Sequence, residues 1–159
     1  MKGVLHMNPY MEKALNQANF GWTHKEGGPF GALILDKDGN IVSVANNQVL
    51  LKHDPTAHAE VQAIRQACEK LGTHDLSGCT LYTTCEPCPM CLSAIIWANI
   101  KKVYFGCTKK DAADIGFRDD MIYEYLKGNE KDVLELLPID REDCIKSFND
   151  FHNDKGQLY

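Results

Sequence analysis

Apolar positions change their spacing along this chain, and each change marks an element. From Asn8-Pro9 to about residue 19 they fall on one helical face, behind a capping side chain and a proline suited to the first turn. Residues 31–36 and 41–45 are short apolar, partly β-branched runs with Lys37-Asp38-Gly39-Asn40 between them, which predicts two strands joined in a hairpin. From Asp54-Pro55 the spacing becomes helical again through Val61, Ile64, Ala67, Cys68 and Leu71, with Gly72 placed as the stop. Residues 79–84 read as a buried strand, 87–99 as a helix and 101–106 as another strand. Strands alternating with helices require crossover connections, so the pattern predicts an α/β domain: a mixed sheet with helices on both faces. Beyond Gly106 the signal thins to a loop and helix over 111–127, an extended stretch over 134–139 and a helix over 141–152.

Length and composition narrow the class. At 159 residues the chain suits one domain, 1–159, large enough to bury a core without disulfides. It has 44% hydrophobic and 25% charged residues, with no apolar run near the ~18 residues of a membrane span. The first ten residues lack a secretory signal, so the mature chain is expected to start near them, in the cytoplasm. Seven cysteines in a reducing compartment are free thiols or metal ligands. A formal charge of −5 and no clustered Lys and Arg argue against a polynucleotide partner and for a small molecule.

The chemistry gathers at two helix starts. His58-Ala59-Glu60 opens one and Pro87-Cys88-Pro89-Met90-Cys91 the other, matching the H-x-E and P-C-x-x-C signature of zinc deaminases. Zinc accepts imidazole nitrogen and thiolate sulfur, and three protein ligands leave a fourth position open to water. Cys88 and Cys91, three apart, can face one ion, and a helix N-terminus favours their thiolates. His58 and Glu60, two apart, would not share a face in mid-helix, so both are expected to act at the helix's N-terminal end, where side chains lean backwards. Bound zinc lowers the pKa of water towards ~7, and Glu60 is the expected catalytic proton shuttle. Cys85 leaves a second arrangement open: with His58, Cys88 and Cys91 it completes a closed Cys3His structural site without turnover.

With these motifs the chain resembles the cytidine and deoxycytidylate deaminase superfamily, and within it the bacterial guanine deaminases. The resemblance is carried by Gly27-Gly28-Pro29-Phe30-Gly31-Ala32, Asn46-Asn47, the segments 54–60, 84–91 and 111–117, and Tyr159. It implies a three-layer α/β/α sandwich around a central mixed five-stranded sheet. It also implies one zinc ion per subunit on His58, Cys88 and Cys91, with Glu60 as shuttle. Asn47 is expected to hydrogen-bond the base, Phe30 and Ala59 to line its pocket, and Asp119 to contact the guanine amino edge. Trp97 belongs to the pocket or to the core, and Tyr159 on the C-terminal segment, about 140–159, closes over a site in the same or the partner subunit of a homodimer. Each soft residue has a plainer role open to it: Asn47 in a turn, Phe30 in the core, Asp119 at a solvated helix start. The expected reaction is guanine and water to xanthine and ammonia. The alternatives are adenosine in transfer RNA, which shares the segment 54–60, and a cytosine nucleoside or nucleotide.

Overall fold

A computed structural model describes residues 6–130 and 132–159. The chain forms two compact units, one ending at Asp119 and one comprising Asp120–Tyr159.

The first unit is built on four strands: β1 Gly31–Leu35, β2 Ile41–Asn46, β3 Thr80–Cys85 and β4 Lys102–Cys107, in the order β2-β1-β3-β4. β1 pairs antiparallel with both β2 and β3, and β3 runs parallel to β4. The hairpin forms where Asp-Gly predicts it. Asp36 Oδ1 accepts from the amides of Asp38 and Asn40, both at 2.9 Å, and Gly39 takes the positive φ of 84° that the turn needs.

Helices cover both faces, which makes the three layers. α1 (Pro9–Thr23) is capped by Asn8, whose Oδ1 accepts from the amides of Tyr10 and Met11 at 2.9 and 3.1 Å. Its Ala14 packs with Leu33, Leu35 and Tyr82. The alternate residues Ala32, Ile34 and Leu81 point the other way, against Ala59, Ala63 and Ala67 of α3 (Ala59–Leu71) and Ile95 of α4 (Pro89–Trp97). β1 is thus buried on both faces, which is why its sequence is continuously apolar rather than alternating. At Gly31 the α1 backbone comes so close that an added Cβ would lie 2.0 Å from the Ala14 carbonyl oxygen.

The elements depart from expectation at their ends. α1 runs on to Thr23, and a one-turn helix, α2 (Val49–Lys52), follows β2. α3 starts at Ala59 rather than near 54, because Asp54 Oδ1 ties the Thr56 amide and hydroxyl into a turn at 2.8 and 2.6 Å. α5 (Lys109–Asp114) begins ahead of the predicted loop because Thr108 and Asp111 form a reciprocal capping box.

The second unit holds α6 (Asp120–Leu126) and α7 (Arg141–Asn153). The stretch 134–139, expected to be extended, is no strand: it joins no ladder, Pro138 offers no amide, and Leu134, Leu136, Leu137 and Ile139 are exposed. The sheet therefore has four strands among the described residues, not the expected five.

Candidate active site

Two helix N-termini supply the metal ligands. His58 is the N-cap of α3 and Cys88 the N-cap of α4, both with extended backbone, and neither side chain caps its own helix. Ser, Thr, Asp or Asn at these positions would satisfy an orphan amide, so both helices forgo a cap in favour of the cluster. Glu60 sits in the first turn of α3 and Cys91 in the first turn of α4, so the expected end-of-helix arrangement holds.

His58 Nδ1 lies 3.6 Å from Cys88 Sγ and 3.5 Å from Cys91 Sγ, and the three donor atoms fall within 4.8 Å of one another. Zn–S bonds of ~2.3 Å and Zn–N bonds of ~2.0 Å at a tetrahedral angle set an N···S edge of about 3.5 Å, so the residues fit the ion. Cys85 stands apart: its Sγ donates to the Thr108 carbonyl at 3.7 Å, and burial pushes its thiol up to about 12. Cys85 is therefore not grouped with the three ligands, which would leave the fourth position of a tetrahedral ion open.

The electrostatics of the cluster follow from its hydrogen bonds. The Cys91 thiol donates to Cys88, which with the His58 ring draws Cys88 down to about 4; Cys91, as the donor and a buried group, is pushed up. His58 is raised by the same contact with Cys88. Glu60 is buried, and desolvation lifts its carboxyl above the ordinary range despite hydrogen bonds that oppose the shift. Its Oε1 accepts from Thr83 Oγ1 at 3.1 Å and its Oε2 lies 3.4 Å from Cys91 Sγ, beside the ligands.

Above the cluster is a cavity of about 640 Å³, within the range of small-molecule pockets. His58, Glu60 and Cys88 reach it, as do the sequence-predicted Asn47, Phe30 and Asp119. Asn47 is buried, and its Oδ1 accepts from the Val49 amide at 3.1 Å, which leaves the Nδ2 donor pair for another partner. Gly27 makes room for that carboxamide, since an added Cβ would lie 2.0 Å from Asn47 Oδ1. Phe30 meets Phe117 edge to face, with ring centroids 5.0 Å apart. Ala59 is buried in the core between the two site residues. Trp97, 72% exposed at the end of α4, does not line the cavity. Tyr159, in the second unit, is 88% exposed.

Sequence reasoning missed several contributors. Phe117, Glu86, Lys109 and Arg118 line the cavity. Phe117 and Glu86 fall inside segments that carry the family resemblance, but nothing in their spacing singled them out. Thr83 did leave a signal: a polar residue in a buried strand, two before Cys85, needs a partner.

A zinc-binding aminohydrolase site of this kind defines a class of protein, and the sequence agrees. The profile of the "Cytidine and deoxycytidylate deaminase zinc-binding region" matches residues 6–107, and the chain belongs to that family. Among its relatives, guanine deaminase of Bacillus subtilis is 43% identical over 145 residues, 91% of this chain and 92% of its own. The crystal structure of that Bacillus subtilis protein superposes with a TM-score of 0.88 at 39% identity, covering 96% of this chain and 99% of its own. The tRNA-specific adenosine deaminase of Aquifex aeolicus is 45% identical over 101 residues, 64% of this chain and 66% of its own.

Proposed function

We propose that this protein is a guanine deaminase, converting guanine and water to xanthine and ammonia. The observation that carries the reaction type is a buried carboxylate, Glu60, beside a three-ligand His58, Cys88 and Cys91 cluster at the floor of the cavity. The substrate follows from the likeness to the Bacillus subtilis guanine deaminase over nine-tenths of both chains.

His58, Cys88 and Cys91 hold one zinc ion per subunit. An ion held there would supply a water acidified towards a pKa of ~7, and so a nucleophile at neutral pH. Glu60 takes one proton from the attacking water and gives it to the ring nitrogen, then carries the remaining hydroxyl proton to the amine, whose bond to the ring carbon breaks as it leaves as ammonia. The same side chain must accept and then donate, and burial that raises its carboxyl above the ordinary range suits it to both. Asn47 Nδ2 donates to an acceptor on the base, Phe30 packs against its face, and the Asp119 carboxylate accepts from the amino edge.

The working protein is a cytoplasmic homodimer. In support, no helix among the described residues is long and apolar enough to cross a membrane, and all seven cysteines are free. The apolar side chains of Leu92, Ile96 and Trp97 on the exposed face of α4 would be covered by a second copy. The C-terminal segment, about 140–159, closes over a site as a lid or by exchange between subunits, with Tyr159 and Trp97 reaching a base in that assembly. The sequence forms one working domain in this reading.

Adenosine in transfer RNA is the second reading, favoured by the 45% identity to the Aquifex aeolicus enzyme and disfavoured by a net charge of −5. Ammonia release from guanine and from transfer RNA, measured side by side on zinc-loaded protein, separates the two. Release from guanine is expected; release from transfer RNA alone replaces the substrate and keeps the chemistry.

A further inference from the structure

We infer that Thr83 is a positioning residue for catalysis: its hydroxyl fixes the rotamer of Glu60 and so decides which carboxylate oxygen carries protons. The inference rests on the deamination reading above.

Thr83 lies in β3 and is only 1% exposed, on the face turned towards α3. A threonine so placed must satisfy its hydroxyl within the protein, and two acceptors are in reach: Glu60 Oε1 and the Cys85 carbonyl, each at 3.1 Å. A hydroxyl has one proton to give. A carboxylate accepts more strongly than a backbone carbonyl, so Glu60 is the preferred acceptor.

The consequence lies in how the two oxygens of Glu60 divide. Oε1 is turned to Thr83, and Oε2 is turned to the ligand cluster, 3.4 Å from Cys91 Sγ. A shuttle must present one oxygen to the reacting atoms without swinging, and displacements on the order of 1 Å are costly in rate. Among the described residues Thr83 is the non-ligand side chain that hydrogen-bonds Glu60, and it stands on β3, which is paired on both sides in the sheet. His58, Cys88 and Cys91 do not touch Thr83 in any hydrogen bond, so the effect falls on proton traffic rather than on metal affinity.

Thr83→Val keeps the shape and deletes the donor. Supporting residues of this kind typically affect activity 10–100-fold, so kcat for guanine should fall at least ~10-fold, with KM and zinc stoichiometry unchanged. Thr83→Ser, which restores the hydroxyl, should return kcat to within about threefold of the parent, on the same 10–100-fold scale. If the valine variant does not fold, Thr83→Ala gives the same split of kcat against KM. Wild-type kcat in the valine or alanine variant, alongside an inactive Glu60→Gln, overturns the positioning role and leaves the reaction standing. A loss of kcat that serine does not restore also overturns it, since a packing defect then explains the loss. A parent protein that never deaminates guanine overturns both.

Discussion

The unit ending at Asp119 and the unit Asp120–Tyr159 are both rich in apolar residues, yet they use them in opposite ways. In the first, Leu33, Ile34, Leu76 and Leu81 are fully buried between sheet and helices. In the second, neither α6 nor α7 contains a buried residue, and Leu136, Leu137, Ile139 and Phe148 are each at least 70% exposed. Apolar surface on that scale is costly in water, at roughly 25 cal/mol per Å². The first unit is therefore a complete core that carries a site, and the second is a set of apolar faces whose stability depends on what covers them.

The largest effect expected is at the ligands. Cys88→Ser should abolish zinc binding and turnover together, measurable by metal analysis and ammonia release. The same change puts a good capping residue at the start of α4, so the metal-free variant should gain about 0.5–2 kcal/mol over metal-free parent in denaturant melts. A variant both inactive and less stable would contradict the view that this N-cap was given over to function.

Next in size is the close approach of α1 to the sheet. Gly31→Ala sets a methyl against the Ala14 carbonyl oxygen, which is backbone and cannot move aside, and should cost about 1–3 kcal/mol of stability. Unchanged melting would mean that α1 is held far more loosely than its buried alanines imply.

A smaller effect is expected at Glu26. Its Oε2 accepts from Asn46 Nδ2 at 2.8 Å and Gln48 Nε2 at 3.2 Å, on either side of Asn47, and the Asn46 contact holds its carboxyl below the usual range. A lowered native pKa adds stability above the unfolded value of 4.5, and that stability is lost as pH falls through the native value. Glu26→Gln should therefore destabilise at pH 7 and progressively less below pH ~4.5. A penalty that does not vary with pH would rule out this electrostatic account.

The smallest effect on the isolated chain should come from the second unit. Leu136→Ser and Ile139→Ser should change the stability of the monomer by no more than about 0.5 kcal/mol, as exposed sites do. If a second copy covers them, the same changes should shift the monomer–dimer equilibrium in sedimentation. Neither effect would mean that the apolar faces serve neither fold nor assembly.

This contrast also marks what the sequence could reveal. The hairpin, α3, β3 and α4 were legible because each buries apolar residues within the first unit, and β4 was legible from its apolar run although five of its six residues are exposed. The two motif pairs were legible because zinc dictates ligand type and spacing. Element starts were less so: a turn at Asp54 and a capping box at Thr108 compete with periodicity through single hydrogen bonds. The stretch 134–139 misled for a deeper reason. A run of apolar residues states that side chains prefer burial but not what lies opposite, and without a ladder partner no strand forms. Phe117 and Thr83 depend on contacts across 87 and 23 residues, to Phe30 and Glu60, which no local pattern encodes.

The most direct test of the account is ammonia release from guanine by zinc-loaded protein and by its Glu60→Gln variant, with zinc content measured in both. The account predicts rapid release of ammonia and xanthine from the parent, and none from a variant that still holds one zinc per subunit. Full turnover in that variant would contradict the role given to Glu60, and silence in the zinc-loaded parent would contradict the reaction itself.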